Sequence, residues 1–97
     1  MTIKIDELQK IIILLLSKLK DSKGNEVEID SDFYWDISMN EIYNPYQDPK
    51  NITLGQLSSD LEEIYRLVEK KEDAIPYDLK RIAAIIKAIS IENQTSF

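Results

Sequence analysis

The chain has 97 residues, 43% of them hydrophobic, and carries 12 basic against 18 acidic side chains for a net charge of −6, with no cysteine and no histidine. That length fits one domain around one core. Without Cys or His there can be no disulfide, thiolate metal site or histidine base, so carboxylates, Lys, Tyr, Ser and Thr are the groups left for chemistry.

Ile5, Leu8, Ile11, Ile12, Leu15, Leu16 and Leu19 fall at helical spacing, with Lys10, Lys18 and Lys20 on the other side and Gly24 beyond a plausible end. The spacing predicts a first helix over about residues 4–20. Ile13 and Leu14 widen its apolar surface past a single stripe, so the helix should be covered on more than one side, in a core or an interface. The unbroken apolar run from Ile11 to Leu16 is far short of the ~20 residues that cross a bilayer, and Asp6 and Glu7 precede it where a signal peptide carries positive charge. A cytoplasmic protein with no membrane contact is the expectation.

The stretch DSKGNE reads as a turn, and the β-branched and aromatic residues after it suggest two short strands, at 27–29 and 33–37. From Met39 to Asn51 the residues Asn40, Asn44, Pro45, Asp48 and Pro49 point to an extended loop. TLGQLSSD then leads into a second helix on Leu54, Leu57, Leu61, Ile64, Leu67 and Val68, with Ser58 or Ser59 as candidate caps. Gly55 marks either the helix start or a close backbone approach. Asp60, Glu62 and Glu63 suit the positive end of that helix. Pro76 opens a third helix, whose apolar face is Leu79, Ile82, Ala83, Ile85, Ile86 and Ile89, and residues 92–97 are expected to fray. The fold class expected is mainly α: a three-helix domain with a long irregular, or two-stranded β, segment between the first and second helices.

Charge and aromatic residues concentrate in that segment. Residues 21–50 hold eight acids against Lys23 and Lys50, and residues 30–49 hold five of the eight aromatic residues. Affinity for nucleic acid comes chiefly from Lys and Arg arrays that release counterions, which this region lacks. Tyrosines among carboxylates suit a basic protein partner instead: the acids steer it in and the rings supply rigid contact area. The candidate partner-binding residues are Asp30, Asp32, Tyr34, Asp36, Glu41, Tyr43, Tyr46 and Asp48. Phe33 and Trp35 are expected to alternate inward and seal the core, leaving Tyr34 and Asp36 in solvent. Asp30, Asp32 and Asp36 could offer oxygen ligands, but DSKGNEVEID places its glycine fourth where a calcium loop needs it sixth, so no metal site is expected. No phosphate loop, nucleophile elbow or dinucleotide fingerprint is present, and neither an enzyme nor a cofactor is expected.

Two stretches taken together, DFYWDIS and PKNITLGQLSSDLEEI, resemble small bacterial immunity proteins of the contact-dependent growth inhibition type. In that family a Tyr-Trp-Asp-Ile stretch precedes a helix start like Leu-Thr-Leu-Gly-Gln-Leu-Ser-Asp-Asp-Trp. The resemblance covers about residues 33–89 and is most specific at Gly55, Gln56, Leu57 and Ser58; Ser59 stands where a second acid is expected and Leu61 where a Trp is expected. It implies a noncatalytic protein that neutralises a cognate toxin inside the producing cell, by occluding its active site or substrate groove. An acidic protein suits a basic toxin. The alternative is a structural helical protein that homo-oligomerises through the surplus apolar surface of its first helix, with no toxin partner.

Overall fold

The computed structural model describes residues 1–93. In chain order the elements are α1 (Ile5–Lys23), β1 (Phe33–Ile37), α2 (Met39–Ile42), β2 (Ile52–Gln56), α3 (Leu57–Glu69) and α4 (Tyr77–Glu92). The fold is thus largely helical with one small antiparallel strand pair. It differs from a plain three-helix domain in the short α2, which forms within the stretch expected to be an extended loop. The fraying expected of residues 92–97 falls mostly outside the described residues.

The strand pairing departs from expectation. Residues 27–29 form no strand, and the partner of β1 is β2, in the register Phe33↔Gln56, Tyr34↔Gly55, Trp35↔Leu54, Asp36↔Thr53 and Ile37↔Ile52. Leu54 fits the spacing of the helix behind it, which hides the strand in the sequence. Ile52 and Thr53, both β-branched, start the extended run, and the helix begins only at Leu57. No side chain of its own turn caps α3; neither Ser58 nor Ser59 takes that role. Pro76, in contrast, sits at the entry of α4 with φ −56, as its fixed ring torsion favours.

Two packed pairs hold the molecule together: β1 with β2, and α3 with α4. The apolar positions of α3 and α4 meet as half-buried residues, among them Leu57, Leu61, Ile64 and Leu67 on one side and Ile82, Ile85 and Ile89 on the other. α1 belongs to neither pair. Its acids Asp6 and Glu7 lie in the first turn and Lys20 and Lys23 in the last, matching the helix dipole, and Gly24 at φ +86 ends it with its N–H bonded to the Lys20 carbonyl at 2.9 Å. Nevertheless every residue of α1 is exposed except Leu19, which is 8% accessible.

The consequence is a chain with little interior. Among the described residues only Leu19 and Asp78 are buried, and no side chain is fully enclosed. The accessible surface is 8527 Å², whereas folded monomers of this mass expose about 5,700 Å². Likewise the radius of gyration is 15.1 Å, against roughly 12.5 Å for a compact chain of this length.

Candidate partner-binding site

The strand pair presents two unlike faces. Tyr34 and Asp36 are the strand residues bonded to the helices, opposite to expectation, while Phe33 and Trp35 stay exposed on the other face of the pair with Leu54 and Ile52, beside α4. The reason lies in what each inner side chain finds. The hydroxyl end of the Tyr34 ring lies against Gly55, where an added Cβ would overlap it, and its hydroxyl donates to Asp60 Oδ2 at 2.5 Å. Burial, and then that bond to a carboxylate, push the Tyr34 hydroxyl above its ordinary pKa of 10.0. Asp36 accepts from Lys80 Nζ of α4 at 2.8 Å, and this bond raises the lysine's pKa. Tyr77 lies beneath two cations, with Lys80 Nζ 5.3 Å and Arg81 Cζ 4.6 Å from its ring centre.

Asp32, just ahead of β1, caps α3 from across the structure. It accepts from the Ser58 backbone N–H at 2.7 Å, the Ser58 hydroxyl at 2.8 Å and the Gln56 amide at 2.9 Å, and its own carbonyl accepts from the Leu57 N–H at 2.7 Å. These donors, the Ser58 N–H foremost, hold its carboxyl below the ordinary carboxylate range. The Gly-Gln-Leu-Ser stretch and the aromatic stretch are therefore two halves of one joint: Gly55 receives Tyr34, and Gln56, Leu57 and Ser58 bond Asp32.

Glu41, in α2, is also engaged within the chain. Its carboxylate accepts from the backbone N–H groups of Lys50 and Asn51, at 2.5 and 3.2 Å, and from the Asn51 amide at 2.8 Å, which depresses its pKa. This closes the base of the loop at 43–49. At its tip Tyr43 is 89% and Tyr46 93% accessible, and Asp48 lines a small surface hollow with Glu41 and Lys50. Asp30 is exposed in the connection before β1. Of the eight predicted residues, then, Asp32, Tyr34, Asp36 and Glu41 are structural, whereas Tyr43, Tyr46, Asp48 and Asp30 face solvent. The single acidic aromatic patch expected from the sequence is divided between the two roles.

A third feature is not visible in the sequence. A groove of about 340 Å³ runs between β1 and α4, floored by Phe33, Trp35, Leu57, Ala84 and Ile91. Lys87 and Glu92 stand at its rim. The alternation of Phe33 and Trp35 marked them as one face; which face stayed open depended on the Tyr34–Gly55 contact, which strand spacing alone does not show.

Among the described residues no group of three or more carboxylates could hold a metal ion, and no helix is long and apolar enough to cross a membrane. The chain matches no protein-family model, no curated protein and no solved structure. A functional reading rests on its own residues.

Proposed function

We propose that this chain is a noncatalytic, acidic protein-binding module that offers Tyr43, Tyr46 and Asp48 to a basic partner protein. The observation behind this reading is the loop at 43–49: it carries two almost fully exposed tyrosines on a base fastened by the three bonds of Glu41. Holding rings out on a fastened loop lowers the entropy lost on binding, and tyrosine brings large contact area with few rotatable bonds. The net charge of −6 speeds encounter with a cation-rich surface, and the rings then slow dissociation.

In the specific form suggested by the resemblance to immunity proteins, the partner is a toxin domain encoded next to this chain, and binding occludes its active site or substrate groove. Co-expression with that neighbouring toxin, together with calorimetric titration, tests the reading. Protection of the cell and tight binding at low salt are expected, with Tyr43→Ala and Tyr46→Ala each weakening binding by about 1–2 kcal/mol as anchor residues do. A wild-type chain that neither protects nor binds ends the toxin-neutralising form. A partner bound equally well by the double variant would move the contact surface away from this loop.

A further inference from the structure

We infer that two copies of this chain exchange their first helices, so that α1 of each seats in the apolar groove between β1 and α4 of the other. This goes beyond the loop-binding function and uses a different surface.

The first ground is area. The accessible surface is 8527 Å², about 2,800 Å² above the ~5,700 Å² that a folded monomer of this mass exposes. Removing that excess from two copies buries about 5,600 Å² in total, at the upper end of what obligate homodimers bury. The excess is also apolar in kind. Ile11, Ile12, Ile13, Leu14, Leu15 and Leu16 are all exposed on α1, and Phe33, Trp35 and Ile91 are exposed along the groove, with Leu54 exposed beside Trp35 on the neighbouring strand. A stretch of helix that is apolar on every side, as Ile11–Leu16 is over nearly two turns, belongs in an interior or an interface, and a contiguous open apolar surface of this size marks the latter.

The second ground is that both halves of the joint lie on the one chain, with opposite charge. Residues 1–23 carry five lysines against three acids, while residues 24–97 carry fifteen acids against seven bases. A net-cationic helix thus meets a net-anionic remainder of the chain, around a groove whose own charged lining residues, Lys87 and Glu92, cancel, and a second copy supplies each half to the other. Reciprocal exchange of one element closes with two-fold symmetry and leaves no unsatisfied end. Pairing α1 directly with a second α1 would instead bring two net positive helices together and leave Trp35 and its neighbours in water.

Connectivity permits the exchange. α1 is tied down only near its end: Leu19 is buried, and Lys23 shares a surface hollow with Glu92 and Asn93 at the close of α4. The segment 24–32, nine residues between α1 and β1, spans up to ~30 Å when extended.

A mixing experiment tests the proposal with Trp35, the chain's single tryptophan, as reporter. One variant spoils the helix (Ile12→Asp with Leu16→Asp) and another spoils the receptor (Phe33→Asp with Leu54→Asp); all four positions are exposed in the single chain, so each monomer should keep its helical circular dichroism. The wild type is expected to be a dimer whose Trp35 emission is shielded from iodide. Each variant alone should be monomeric, and the helix variant's Trp35 should be quenched. An equimolar mixture should form a heterodimer by light scattering and restore shielding to the helix variant, because its intact receptor accepts the other chain's intact helix. A monomeric wild type would overturn the inference, whether α1 folds back on its own chain or awaits a different protein. A receptor variant that dimerises alone would overturn it in favour of direct α1 pairing, and so would a mixture that stays monomeric. None of these readouts depends on Tyr43 or Tyr46, so failure to bind a toxin leaves them unchanged.

Discussion

At the scale of single residues the most constrained contact is Tyr34 on Gly55. Gly55→Ala must displace the ring or the strand, and a cost of about 1–3 kcal/mol is expected from overpacking of this kind. Tyr34→Phe keeps the ring and removes the donor to Asp60, which should cost roughly 1 kcal/mol. Urea denaturation measures both; a neutral Gly55→Ala would mean that the ring does not lie where the structure puts it. The same residues set the pH limits. Asp32 and Asp78, with ordinary pKa values of 3.8, and Glu41, at 4.5, are all depressed in the folded chain by the donors they accept from, which for Asp78 are the Ile75 N–H at 2.8 Å and the Arg81 guanidinium at 2.7 Å. The unfolded chain therefore binds more protons than the folded one in acid, so their contribution is present above pH 4.5 and is lost as pH falls through the depressed values. Tyr34 is shifted the other way, so its contribution is full below pH 10.0 and is lost as pH rises toward its folded value. Thermal midpoints should accordingly be flat between these limits and fall on both sides. Asp32→Asn should lower the plateau and make the acid limb shallower, and an unaltered acid limb would contradict its capping role.

Among the elements, the three long helices were legible in the sequence, the short α2 was not, and the strand pair was only half so. α1, α3 and α4 each repeat apolar residues at three and four over several turns, and Gly24 and Pro76 mark an end and a beginning in the sequence itself. β1 was readable from Phe33 to Ile37 because β-branched and aromatic residues crowd there. β2 was not, since Leu54 is in phase with the helix that follows. The orientation of β1 was equally hidden: alternation separates Phe33 and Trp35 from Tyr34 and Asp36 but carries no sign, and the sign came from Gly55 and Lys80, distant in sequence. For the same reason Asp32 and Glu41 looked like free acids, although their donors are backbone N–H groups about ten or more residues away. Proline and asparagine marked the stretch holding Tyr43, Tyr46 and Asp48 as irregular, which left open whether those side chains lie inward or outward. Glu41→Gln should loosen the loop it closes without unfolding the helices. Hydrogen exchange should then show faster exchange at the amides of Lys50 and Asn51, with α3 and α4 unchanged; equal exchange in both proteins would remove Glu41 as the fastener.

For the whole molecule, the decisive quantity is how much apolar surface the single chain leaves in water. Two packed pairs and a helix held mainly at Leu19 leave no fully enclosed side chain among the described residues, and the exposed run Ile11–Leu16 makes that arrangement unstable unless something covers it. A dimer built by exchange supplies the missing interior and still leaves both loops at 43–49 open, so one assembly could present two sets of tyrosines. Because folding and association are then one event, the thermal midpoint should rise with protein concentration. Sedimentation equilibrium of the wild-type chain at micromolar concentration gives the most direct answer. An exchanged dimer gives a mass twice the 11.3 kDa of one chain, and a folded species sedimenting at the mass of one chain rules the exchange out.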